Sequence, residues 1–513
     1  MKSRIICVLT ILFGVLWIVT AAGRRGDKNP VQKISRVPVI EPDYSGCVIP
    51  PNIAPLNFSI MEPGIQYDIR IASENGKPIK LRSRSAAVHI PLKAWKRLLL
   101  SNIGQDIVWQ IKVQLADHQW IEFQSVVNHI AEERIDPFLV YRLLQPMYFY
   151  WGEMGLYERN LENFDEHPVL LSRAMNSSCM NCHVFCKQDP EKMIFHIRGG
   201  QAAGTLLVLP DRIQKINTKT EFSTSAAVYP VWHPNGKMLT FSVNELRQFF
   251  HAVGESREVV DHFSDLILYH IDSNTITTDP KIANPAKLET FPEWSPDGRY
   301  LYFCSAEPFH AIQDYEKIRY NLVRIAYDIE TGFHGEPEMI LSAEDTGRSA
   351  LLPRISPDGQ YMLFCMTDHG NFPAFMKSSD LYIMNLQNKK YRPLDIVNSN
   401  NTEGYHAWSG NSSWFVYASK KQDNLCARLY FCHVDSEGRT AKSFILPQER
   451  PDFYQDYLKT YNLPELIHSP VRISSYDILK AANRDPLQAV LDPEVEIPQY
   501  KQPLEENGQI VPQ

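Results

Sequence analysis

The feature that most limits what this chain can fold into is an internal repeat. Tyr229-Pro230-Val231-Trp232-His233-Pro234-Asn235-Gly236 recurs as Phe291-Pro292-Glu293-Trp294-Ser295-Pro296-Asp297-Gly298, then as Leu352-Pro353-Arg354-Ile355-Ser356-Pro357-Asp358-Gly359, then as Tyr405-His406-Ala407-Trp408-Ser409-Gly410-Asn411-Ser412. Nine residues after each Trp slot stands an aromatic: Phe241, Phe303, Phe364 and Tyr417. This is the grammar of a hairpin: a short apolar strand, a Pro-Asp-Gly turn in which Pro fixes φ and Gly accepts a positive φ, and a second strand such as Tyr300-Leu301-Tyr302-Phe303. The slots at 232, 294, 355 and 408 lie 62, 61 and 53 residues apart, room for a four-stranded sheet and its loops. A unit of that size buries its faces only against neighbouring copies, which predicts a β-propeller.

Cys179-Met180-Asn181-Cys182-His183 is a Cys-x-x-Cys-His, the attachment motif of c-type haem. The spacing lets two thiols reach the two vinyl groups of one porphyrin edge while the next residue offers an imidazole to the iron. One covalent haem c is therefore expected, held by Cys179 and Cys182 with His183 as axial ligand. Zinc is the rival for the same segment, because Cys186 follows closely, yet the chain has no second Cys-x-x-Cys or His pair to close a tetrahedral site.

Counting back nine from Phe195 lands on Cys186, so a degenerate copy of the repeat begins at the motif, with Cys186 in a Trp slot and a packing role. In that register His183 matches Tyr229, Phe291, Leu352 and Tyr405, at one mouth of the propeller channel, and the haem is expected there. Cys304 and Cys365 share a slot with Ser242 and Ala418, where a small side chain fits, and read as core residues. His406 stands where the other copies carry Pro230, Pro292 and Pro353, and is the first candidate for a residue facing the haem. His196, in a slot otherwise held by small residues, and Tyr405 are further candidates for distal or pocket residues. Strict strand alternation sets the slots of His406 and His183 on opposite faces.

Residues 1–23 read as a signal peptide or membrane anchor, since Ile5 to Ala22 is an apolar run behind Lys2 and Arg4, and residues 24–43 as a linker. Residues 44–145 alternate short β-like runs with polar turns and predict a β-sandwich-like domain with one helix near Leu92 to Ser101. Residues 146–185 form the haem-attachment segment, and 186–480 a propeller of six blades with a C-terminal brace that is helical over Asp452 to Leu463. Residues 481–513, rich in proline and charge, are expected to be a flexible tail. The remaining cysteines are scattered and suggest no disulfide framework.

The Trp-Ser-Pro-Asp-Gly copies resemble TolB-like propeller repeats over about residues 180 to 475. With the export signal, the opening Gly46-Cys47-Val48-Ile49-Pro50-Pro51-Asn52 and the haem motif, the chain also resembles the N-terminal and middle domains of the hydrazine synthase α subunit. It departs by lacking a second Cys-x-x-Cys-His: Cys432-His433 has no cysteine three positions earlier.

Three functions are compatible. The first is an exported, periplasmic monohaem cytochrome-like protein exchanging electrons with a redox partner protein or a small-molecule oxidant or reductant, and attached to the membrane if its N-terminal segment is uncleaved. The second is a haem-dependent oxidoreductase acting on a small molecule, as the synthase resemblance implies, and the third a propeller binding module in which haem is structural or senses. A net charge of −7 without a basic stripe excludes a nucleic-acid partner. There is no His-Glu-x-x-His or Gly-x-Ser-x-Gly to support hydrolysis.

Overall fold

The computed structural model describes residues 31–145, 153–223, 225–249, 258–308 and 312–496. The apolar run at residues 5–22 lies outside them, as do the last residues of the tail. No described helix is long and apolar enough to cross a membrane.

The chain is mainly β and propeller-like, behind an N-terminal β unit. That unit pairs a seven-stranded sheet with a three-stranded one and the helix Leu92–Leu100, near the positions expected. Asp106–Gln114 alternates exposed or half-buried with buried positions along its length, the period-two signature of a strand with one face in a core. Trp109 stacks on Phe58 at 5.0 Å and meets Trp95 edge-on at 6.4 Å. The unit is fastened to the propeller by Trp414, whose Nε1 donates to the Glu133 carbonyl, and by Asn57, whose amide donates to the carbonyls of Gln448 and Glu449.

Six sheets follow, and their innermost strands neighbour one another in a closed cycle. In cyclic order these strands are Thr460–Ile467, Cys179–Cys186, Ala227–Trp232, Leu288–Trp294, Ser349–Ile355 and Glu403–Trp408. We call their sheets one to six. Sheet one is composite: the C-terminal strand Thr460–Ile467 pairs antiparallel with Phe138–Leu144, which pairs with Gly155–Asn160 and then Glu166–Leu171.

This closure corrects several expectations. The boundary placed at 145 falls before Phe138, because that strand serves the propeller. Much of the segment 146–185 is sheet rather than a separate attachment segment. Asp452 to Leu463 holds one short helical turn, Phe453–Asp456, and then enters the closing strand. The tail does not come free at 481: Leu487–Gln488 and Val490–Leu491 add to the outer edges of sheets two and three.

The repeat residues have visible work. In the turn after Trp294, Gly298 donates its N–H to the Ser295 carbonyl at φ +73°, Ser295 Oγ bonds Asp297 Oδ1 at 2.6 Å, and Tyr300 N returns to Ser295 Oγ at 3.0 Å. Each Trp reaches the preceding sheet: Trp294 Nε1 to Thr240 Oγ1 (2.9 Å), Trp408 Nε1 to the Arg354 carbonyl (2.9 Å), Trp232 Nε1 to the Val184 carbonyl (3.4 Å). The Trp slot therefore joins sheet to sheet, burying a large ring without orphaning its N–H.

Candidate functional site

Every innermost strand carries a two-residue bulge where it leaves register with its neighbour: Leu463-Pro464, Cys182-His183, Tyr229-Pro230, Phe291-Pro292, Leu352-Pro353 and Tyr405-His406. The first residue of each pair is left-handed, with φ of 48°, 56°, 49°, 51°, 52° and 42°. Opposite each bulge lies a buried aromatic, Tyr141, Phe195, Phe241, Phe303, Phe364 or Tyr417. A left-handed non-glycine residue costs about 1–3 kcal/mol. Because all six sheets share the feature it belongs to the architecture, and only the side chains within it discriminate among sheets. Proline suits the second position since it brings no N–H for the bulge to leave unpaired. Two sheets place histidine there instead.

This alignment corrects the expected register by one residue. Cys182, not His183, matches Tyr229, and His183 matches the prolines and His406. The counting failed because the hairpin after Phe185 turns through Lys187 and Gln188, at φ 50° and 59°, and carries an extra shift between Phe185 and Cys186. Phe185 takes the Trp slot, pairing with Met193 as Trp232 pairs with Leu239. Cys186 packs beside Trp232 in an apolar cluster, and burial pushes its thiol up. The expected packing role thus stands at a different position.

Eleven of the twelve bulge residues line one cavity of about 410 Å³, within the usual range for a small-molecule or cofactor site. Cys179 also opens onto it, and neither it nor Cys182 is in a disulfide. Burial pushes the Cys182 thiol up, against Arg198 and Arg142. His183 is buried and its Nε2 has no hydrogen-bond partner among the described residues. Burial first, then Arg142, pushes its pKa down to about 3, against the main chain at Val140 and Leu463. The imidazole is therefore neutral at physiological pH, the state a metal ligand requires.

His406 repeats this environment. It is buried, its Nε2 lacks a partner among the described residues, its Nδ1 lies 3.9 Å from Cys365 Sγ, and burial followed by Arg354 pushes it down to about 3. Tyr405 is half-buried on the cavity wall, its phenol pushed up to about 12 by burial. His196 is not on the wall: it faces Asn181 in the pairing and its Nδ1 bonds Thr205 Oγ1 at 3.0 Å, so the structure gives it a partner inside its own sheet. The zinc reading loses support as well. Cys186 does not line the cavity, and among the described residues no three His, Cys, Asp or Glu side chains are grouped to hold a metal ion.

Two wall residues escaped sequence reasoning. Arg142 fills the slot held elsewhere by His196, Ser242, Cys304, Cys365 and Ala418. Its guanidinium is held by neutral groups only: the Met180 carbonyl (3.0 Å), Asn181 Oδ1 (2.6 Å) and Asn462 Oδ1 (2.9 Å). Glu465 follows the bulge of sheet one; burial pushes it up to about 7, Arg354 opposing and Glu293 reinforcing. Arg354 pairs with Glu293 at 3.1 Å. The signal for Glu465 was present, because Leu463-Pro464-Glu465 copies Phe291-Pro292-Glu293.

No protein-family model and no curated protein sequence matches the chain. Among solved structures, Kuenenia stuttgartiensis hydrazine synthase is similar at 12% identity and a TM-score of 0.30, over 51% of this chain and 64% of that one. A puromycin-hydrolyzing peptidase of Mycobacterium tuberculosis is similar at 13% identity and a TM-score of 0.31, over 67% of this chain and 52% of that one. The Cps50 β-propeller domain of Myceliophteria thermophila is similar at 10% and 0.30, over 67% and 90%. Overlaps this partial carry no argument about activity.

Proposed function

We propose that Cys179, Cys182 and His183 hold one covalent haem c in the cavity, and that the protein is an exported, periplasmic monohaem redox protein. The reading rests on one observation: both thiols of the motif and the residue bearing the unpartnered, neutral Nε2 line a single cavity. That donor set fits the group, two thiols for covalent attachment and an imidazole for iron. Bound there, haem would supply one-electron redox chemistry. The chain's own residues would anchor it through the thiols, orient it through His183, exclude water with the apolar bulge side chains, and offer Arg142 to negative charge. His406 and Tyr405, on another part of the wall, would be the residues to meet the group. Electrons would pass to a redox partner protein or a small molecule.

A second reading, an oxidoreductase acting on a small molecule, is favoured by Glu465. A carboxyl that exchanges a proton near neutrality, on the wall of the same cavity, is what proton-coupled chemistry on a bound molecule needs.

The test is the reduced alkaline pyridine spectrum of protein produced in a host that attaches c-type haem, beside a Cys179→Ala, Cys182→Ala variant. A c-type band in the wild type and none in the variant is expected. A colourless wild type from a competent host would overturn the reading and leave a propeller binding module.

A further inference from the structure

Asp261, on the strand Glu258–His270 of sheet three, is completely buried. Its Oδ2 accepts from the side-chain amides of Asn244 (2.9 Å) and Asn371, and at 3.5 Å from the Tyr320 hydroxyl. Among the described residues its Oδ1 has no partner. Neither do the amide oxygens of Asn244 and Asn371, both 1% exposed. Ser264 Oγ is equally buried, sits against the same carboxylate and makes no aligned hydrogen bond. Among the described residues none of the groups bonded to Asp261 is cationic.

Unmet buried polar atoms are costly, on the order of 1–3 kcal/mol each, and an unpaired buried carboxylate costs more. The carboxylate's own Oδ1 and the two amide oxygens beside it are three unmet acceptors, and together they call for positive charge. A proton on Asp261 Oδ1 would convert one acceptor to a donor and satisfy at most one amide oxygen; the other would depend on the Ser264 hydroxyl, which is aligned with nothing. A cation can take all three. The donors are carboxylate, amide carbonyl and hydroxyl oxygens, with no nitrogen or sulfur, which selects a hard cation of the calcium type over zinc or copper.

We propose that Asp261, Asn244 and Asn371, with Ser264 at the edge, form a calcium-type cation site. The site joins two segments that line the cavity. Asp261 is on the strand whose Val259 lines it, and Asn371 precedes Phe372, Ala374 and Phe375, which line it too. A bound cation would pin the strand of sheet three to the loop of sheet five. With one carboxylate among the ligands the affinity belongs to the weak class, Kd about 10⁻⁴–10⁻³ M.

The test uses the full chain, stripped with EDTA and dialysed, at ionic strength fixed with tetramethylammonium chloride. Calcium at about 10 mM should raise the thermal midpoint by a few degrees, saturably, and terbium should give emission sensitised by nearby Tyr320. Asp261→Asn should abolish both effects. Asn371→Ala, which removes one ligand and no charge, should shift half-saturation to higher calcium and serves where Asp261→Asn does not fold. A wild type indifferent to calcium overturns the proposal. So does a response undiminished in both variants, or stabilisation by sodium with no further effect of calcium. These readouts do not depend on haem, so their failure is separable from failure of the redox reading.

Discussion

His183 and His406 occupy the same bulge position in sheets two and six, on either side of sheet one; both residues belong to the wall of the common cavity, and in each the Nε2 is buried and, among the described residues, unpartnered. Four of the six sheets fill that position with proline. A histidine there gives up a residue suited to the bulge, so its side chain carries the reason for its presence. One of the pair is the imidazole of the haem motif, and the other matches it in burial, charge state and surroundings.

Replacing His406 by proline restores the residue of the other sheets. The variant is expected to fold with a stability within about 1 kcal/mol of the wild type and to retain covalent haem. If the second imidazole meets the iron, carbon monoxide should bind the reduced variant more readily than the wild type. His183→Pro should also fold and keep its thiols, yet lose the low-spin spectrum of imidazole ligation. Absorption spectra with and without carbon monoxide check both. Identical spectra for wild type and His406→Pro would remove His406 from the iron's neighbourhood.

Glu465 makes stability depend on pH in a defined direction. Burial raises its folded pKa from an ordinary carboxyl value to about 7, so between those values the folded state holds a proton that the unfolded chain has released. Its contribution is complete below the unfolded pKa and is lost as pH rises through about 7. The wild type should unfold at lower urea at pH 8 than at pH 6, and Glu465→Gln should flatten part of that difference. Arg354 and Glu293 stay in place in this variant, so their ion pair does not confound the comparison.

The repeat was legible because it is local. Pro-Asp-Gly turns, the Trp slot and the buried aromatic nine residues later each have a short-range physical cause, and Phe195 extended the pattern to sheet two without a Trp. Two things were not legible. The one-residue error at His183 arose in a hairpin whose Lys187-Gln188 turn differs in length from its siblings, and counting from Phe195 carries that difference straight into the register. Sheet one was hidden because its inner strand lies more than three hundred residues from the strand it pairs with, as Arg142 opposite Asn462 shows. Arg142 and Glu465 were missed for that reason, although the Leu-Pro-Glu at 463–465 was a visible copy of the bulge.

The same closure predicts an asymmetry in truncation. Removing residues 460–513 takes away the inner strand of sheet one, exposes the edges of Phe138–Leu144 and of the neighbouring inner strands, and deletes Leu466 and Ile467 from the core. That chain should fail to give a cooperative thermal transition. Removing residues 485–513 breaks the short edge pairings at Leu487–Gln488 and Val490–Leu491, the bonds of Gln488 to Asn217, Asn274 and Lys219 and the packing of Ala489, and leaves every inner strand in place. It should leave one cooperative transition, lowered in midpoint, measurable by circular dichroism.

Arg142 offers the sharpest separation of a structural from an electrostatic role. Its three hydrogen-bond partners are neutral, so its charge is not cancelled where it sits, and it acts on His183, Cys182 and Tyr405 alike. Positive charge beside a redox centre favours the reduced form, and at the distances of a cavity wall a unit charge is worth several tens of millivolts. In haem-loaded protein, Arg142→Gln is expected to lower the reduction potential by that order, while Arg142→Lys, which keeps the charge but not the three-way bonding, should move it less. Were Arg142 merely a spacer between sheets one and two, both variants would lose stability and leave the potential unchanged. Spectroelectrochemical titration alongside urea unfolding distinguishes the two outcomes on the same samples.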